Sequence, residues 1–172
     1  MKTWIAKATM GLVCMLALAC GKKAEQAAVE RSMEKQIEKQ TGQKADVKIG
    51  DNRVSMKSKD GEMQYSESGD LSLPKDFDKD ILIPKDAKIQ TSLTQEKTRQ
   101  IVMQVKQSKD ELTKQYTEFQ TKQGWKEESS FNSGDSSMLS YEKPDRTLLI
   151  SVAKDGDQST ISLTIEKKDS GS

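Results

Sequence analysis

Between Ala24 and Thr41 apolar residues recur at every fourth position, with Val29, Met33 and Ile37 extending a row begun by Ala24 and Ala28 on a background of Glu, Gln and Lys. That spacing predicts a helix with one narrow apolar stripe, ended by Gly42. The period then drops to two. Asp51-Asn52 and Asp60-Gly61 have the composition of two-residue hairpin loops. With those loops Ile49 faces Val54, Val47 faces Met56, Met56 faces Tyr65 and Ser58 faces Met63. All lie on one face of a three-stranded meander that the helix stripe can cover.

Alternation fails from Ser66 to Pro84, where Pro74, Pro84 and a dense mixture of charges oppose regular pairing. This stretch reads as a connection between two units, although Phe77, Ile81, Leu82 and Ile83 are too apolar to stand free of a domain. Beyond it Ile89, Thr91 and Leu93 alternate, as do Ile101, Met103 and Val105, which predicts two strands around Gln95-Glu96. Ser108 and Glu111 have capping-box spacing ahead of the stripe Leu112, Tyr116 and Phe119, and Gly124 closes that helix before Trp125. Four strands follow, with Leu148, Ile150 and Val152 facing Ile161, Leu163 and Ile165. The predicted class is α+β: an α-β-β-β unit followed by β-β-α-β-β-β-β, an antiparallel sheet with one packed helix.

The first twenty residues stand apart. Lys2 and Lys7 precede an apolar run from Ala8 to Ala19 that ends at Cys20, the charged and apolar regions of a signal peptide. A run of that length falls short of the roughly 20 residues a spanning helix needs. Ala17-Leu18-Ala19-Cys20 resembles the lipobox of bacterial lipoprotein precursors. That resemblance implies cleavage before Cys20, lipid on its sulfur and attachment to a membrane in the cell envelope. Gly21 stands where Asp commonly retains Gram-negative lipoproteins at the inner membrane, so the resemblance implies an outer-membrane protein facing the periplasm if the host is Gram-negative. The expected divisions are 1–19 signal, 20–23 lipidated tether, 24–66 first unit, 67–86 connection, 87–168 second unit and 169–172 tail. The run Leu73 to Pro84 with Lys85 to Ile89 resembles a junction in uncharacterised bacterial lipoproteins. The element order of the second unit resembles helix-grip modules of the BamC type.

Composition narrows the chemistry. There is no histidine, which removes Ser-His-Asp and Cys-His nucleophile pairs and the usual zinc sites. The 28 basic and 27 acidic side chains are interspersed, without the basic footprint that nucleic acid requires. Of the two cysteines, Cys14 leaves with the signal and Cys20 takes lipid, so no disulfide is expected. Asp76, Asp78 and Asp80 open like a calcium loop, but Ile81 and Ala87 replace its Gly and Glu. Asp155, Asp157, Ser159 and Glu166 also have loop spacing, along a stretch that alternates like a strand. No metal or cofactor is expected.

These features point to a non-enzymatic binding or assembly module, anchored to the membrane through Cys20 and meeting an envelope protein partner. Trp125, Phe131 and Tyr141 are the candidate contact residues, because aromatics dominate binding hot spots. The alternatives are a carrier or sensor of an apolar ligand held between helix and sheet and, further off, a hydrolase using carboxylates alone.

Overall fold

A computed structural model describes residues 23–169. The chain is α+β, in the order α1 (Lys23–Thr41), β1 (Ala45–Ile49), β2 (Arg53–Ser58), β3 (Gly61–Ser66), β4 (Lys88–Gln95), β5 (Thr98–Val105), α2 (Lys109–Lys122), β6 (Lys126–Asn132), β7 (Ser136–Lys143), β8 (Arg146–Asp155) and β9 (Gln158–Lys167). Cys20, the signal and the tether as far as residue 22 fall outside the described residues, and Lys23, expected in the tether, begins α1.

The two units share one nine-stranded antiparallel sheet, ordered β1-β2-β3-β4-β5-β9-β8-β7-β6. β3 and β4 pair from Gly61↔Gln95 to Tyr65↔Thr91, so the sheet runs straight through the expected boundary. After β5 the chain crosses in α2 to the far edge at β6, then meanders back until β9 lies against β5. The expected facing holds for β8 and β9, with Leu148↔Ile165, Ile150↔Leu163 and Val152↔Ile161.

Two register details differ from expectation. The first hairpin closes around Asp51-Asn52 as expected, with Ile49↔Val54 and Val47↔Met56. The second turns on Lys59-Asp60, giving Ser58↔Gly61, Met56↔Met63 and Val54↔Tyr65. Gly61 belongs to the strand, paired with Ser58 and Gln95, and the Thr94 carbonyl lies against it where a Cβ would stand. A slip of two residues keeps every side chain on its original face. In β4 a bulge between Ile89 and Thr91 breaks the alternation. Ile89 therefore turns to the core beside Met103, while Thr91 and Leu93 face the other way.

One face of β4 to β9 carries the main core, where Ile101, Met103, Tyr141, Leu148, Ile150, Val152, Ile161 and Leu163 are fully or almost fully buried. α2 covers part of it with Leu112 and Tyr116. Its capping box at Ser108 and Glu111 is present, and Gly124 (φ 76°) lets the Trp125 N–H return to the Gln120 carbonyl at 3.0 Å. The connecting segment covers the rest: Ile81 is buried, and Leu71, Leu73, Phe77, Leu82 and Ile83 pack around it. The surplus apolar surface of this sheet face is thus hidden by the chain's own segment.

α1 lies at the opposite end, along the free edge of β1. There the Val47 N–H donates to Glu34 Oε1 at 3.1 Å and the Ile49 N–H to Glu30 Oε1 at 2.7 Å. Two carboxylates four apart on a helix are separated by about 6 Å along its axis, close to the advance of two strand residues. One helix face therefore caps two edge donors. The stripe itself is only partly covered, since Met33 and Ile37 are half-buried and Val29 is exposed.

Candidate functional site

The three aromatic candidates are not brought together. Trp125 is buried, at 3% exposure, and its indole Nε1–H donates to the Asp80 carbonyl at 3.1 Å. Lys143 Nζ and the Arg146 guanidinium lie 4.9 and 5.3 Å from its ring centre, within range of cation–π attraction. Tyr141 is fully buried on the core face. Phe131 alone stands in solvent, at 64% exposure.

The Asp76, Asp78 and Asp80 series does not form a loop around an ion; it pins the connecting segment to the sheet. Arg99 pairs with Asp76 and lies 3.7 Å from Asp78, Arg146 reaches Asp80 at 2.8 Å, and Lys143 also bonds Asp80. Burial disfavours the charged form of Asp80, yet hydrogen bonds from Lys143 and Arg146 prevail and hold its carboxyl below the usual range. A carboxyl whose pKa is lowered by folding stabilises the fold above its unfolded pKa, and that stabilisation is lost as pH falls through the folded value. Asp80→Asn is therefore expected to lower the thermal midpoint at pH 7, and the gap from wild type should close as the pH falls below about 4. Melts recorded across that range check the sign. Asp155 ends β8 and Asp157 lies in the β8–β9 turn, whereas Ser159 is buried with its hydroxyl donating to the Gln107 carbonyl and Glu166 lies near the far end of β9. An extended strand separates that set.

Between α2 and the sheet the space is filled by Leu112, Tyr116, Tyr141 and Leu148, all fully buried. Burial also raises the Tyr116 hydroxyl well above its ordinary pKa. An open cleft of about 920 Å³ lies elsewhere, where the core face turns polar over β2 and β3, with Lys57, Glu62, Gln64, Ser92 and Thr94 along the strands and Leu73 on the connecting segment. Its arginines are already occupied, Arg53 by Asp70 and Arg99 and Arg146 by the aspartates above.

The second sheet face is more distinctive. Two rows of partners cross all nine strands: Ile49, Val54, Tyr65, Thr91, Val102, Ser162, Ser151, Met138, Phe131, and beside it Val47, Met56, Met63, Leu93, Gln100, Thr164, Leu149, Ser140, Ser129. Both rows begin apolar beside α1 and become hydroxyl-rich in the middle. The first turns apolar again at the β6 end, where Phe131 faces Met138 (48% exposed), and the second, which ends on Ser140 and Ser129, contributes Leu149 (39% exposed), diagonal to Met138. These three are the exposed large apolar side chains of the sheet, and they form one patch.

That patch adjoins an open edge. All residues of β6 are exposed, and β7 is its sole strand neighbour among the described residues. At the β6–β7 turn the Ser133 N–H donates to the Ser136 carbonyl at 2.8 Å. By the alternation of an antiparallel pair, the backbone N–H and C=O groups of Ser130 and Asn132 then point away from β7. The strand is held from within by Lys109, a buried lysine of α2 whose ammonium donates to Asn132 Oδ1 and, at 2.8 Å, to the Ser133 carbonyl. Sequence reasoning singled out Phe131 as an aromatic but missed Met138 and Leu149. The signal for them is cross-strand register: each takes an outward position in a strand whose inward neighbours are also apolar. The sequence matches no family model and no curated protein, and the fold matches no solved structure.

Proposed function

We propose that this chain is a lipoprotein of the cell envelope, tethered through lipid on Cys20, and that it works as a non-enzymatic binding or assembly module. Its docking surface is the open edge of β6 with the adjoining patch of Phe131, Met138 and Leu149. One observation carries the reading: the exposed apolar side chains of the sheet gather beside its one unguarded strand edge among the described residues. An extended segment added there gains backbone hydrogen bonds from the edge and apolar contacts from alternate side chains. The competing reading, an apolar ligand between α2 and the sheet, is weaker because fully buried side chains already fill that space.

Anchoring and docking are tested separately. Mass spectrometry of the mature N-terminus is expected to find cleavage before Cys20 and acyl chains on that residue; an unmodified Cys20, or cleavage elsewhere, sinks the anchor. With Gly21 after the cysteine, the protein is expected in the outer membrane if the host is Gram-negative. A photo-crosslinking residue in place of Phe131 is expected to trap a protein in intact membranes, whereas the same residue at Lys48, on the far strand β1, traps none.

A further inference from the structure

We infer that the β6 edge is self-complementary and that its partner is a second copy of this chain, joined by antiparallel β6–β6 pairing about a two-fold axis through Ser130. This rests on the reading of β6 as a docking surface. The pairable run reaches from Glu128, the extra residue of the bulge between Glu127 and Ser129, to Asn132 before the turn. Ser130 is central to that run and directs both its backbone groups outward. An axis there lets the two Ser130 residues exchange N–H···O=C bonds as a close antiparallel pair.

The side chains agree with this register. Phe131 falls opposite Ser129 of the second copy, and both residues lie on the open sheet face. The two Phe131 rings then lie diagonal to each other, a separation of about 7–8 Å between backbones that aromatic side chains bridge. Met138 flanks each ring, so the two exposed patches merge into one. Glu128 falls opposite Asn132, so no like charges meet. The isologous contact uses the same residues on both sides, as two-fold dimers do.

The test uses the chain expressed without residues 1–20, which then carries no cysteine because Cys14 and Cys20 are the only two. Ser130→Cys introduces a single thiol at the axis. The Cα separation of a close antiparallel pair, about 5.5 Å, lies within the span of a disulfide. Mild oxidation is expected to convert the Ser130→Cys protein to a covalent dimer far faster than a Lys48→Cys control on exposed β1. Sedimentation equilibrium of the cysteine-free protein is expected to return a two-chain mass that falls on dilution, and Phe131→Lys should leave single chains with an unchanged circular dichroism spectrum. A single-chain mass at every concentration, or equal oxidation of the two cysteine variants, overturns the second copy. If the Phe131 crosslinker nevertheless traps a different protein in membranes, only the self-pairing fails and the docking surface stands; if it traps nothing, both fall.

Discussion

Replacing Trp125 with alanine is expected to cost about 3–5 kcal/mol of stability, the range for deleting a buried large aromatic. For a chain of this size that is a fall of roughly 10 °C in thermal midpoint. Three losses coincide at one side chain. The cavity opens where α2 meets the connecting segment, the Asp80 carbonyl loses its indole donor, and Lys143 and Arg146 lose the ring beneath them. The last two both hold Asp80, so the connecting segment should loosen with the helix end. In melts run at a dilution where the chain is single, Phe131→Ala is expected to stay within about 0.5 kcal/mol, as exposed surface positions do. Thermal melts of the two variants side by side distinguish the core aromatic from the surface one.

A methyl group at Gly61 is expected to be nearly as damaging, and by a different route. Its Cβ would overlap the Thr94 carbonyl oxygen and come within 3.0 Å of the Gln95 Cα. Both obstacles are backbone of the neighbouring strand and cannot swing aside as a flexible side chain would. Overpacking typically costs about 1–3 kcal/mol, and an obstacle made of backbone places Gly61→Ala at the upper end. The damage is directional because this contact lies in the β3–β4 seam. Hydrogen exchange should accelerate across β1 to β3 while the amides of β8 and β9 stay protected. Gly134→Ala, where an added Cβ meets nothing within 4 Å and the glycine has no positive φ, should leave both stability and exchange unchanged.

Local chemistry carried most of the element boundaries. The capping box at Ser108 and the Gly124 terminator act over a few residues, and both helices and the β8–β9 facing follow from side-chain period alone. Long-range pairing was not legible. Nothing between Ser66 and Lys88 announces that β3 and β4 will lie side by side, because a loop that folds back and one that leads away carry the same prolines and charges. The aspartates at 76, 78 and 80 show the same blindness: their spacing suits cation ligands, and their actual partners, Arg99, Lys143 and Arg146, are remote in sequence. The aromatic candidates split for a related reason. Trp125 is turned inward by the helix cap, and Phe131 is turned outward by strand parity, a distinction invisible to residue type.

The carboxylates of α1 set a limit on assembly. A sheet open at both edges can add chains without end, as fibrils do. Here Glu30 and Glu34 occupy two of the outward donors of β1, the N–H groups of Val47 and Ile49, and α1 lies along that rim, leaving growth a single direction, and a two-fold contact at β6 uses that direction up. The stoichiometry then stops at two for a reason located at the other end of the sheet. A chain stripped of α1 keeps the same dimer contact but regains a second adhesive rim, so that what had been a terminated pair becomes the repeating unit of a ribbon.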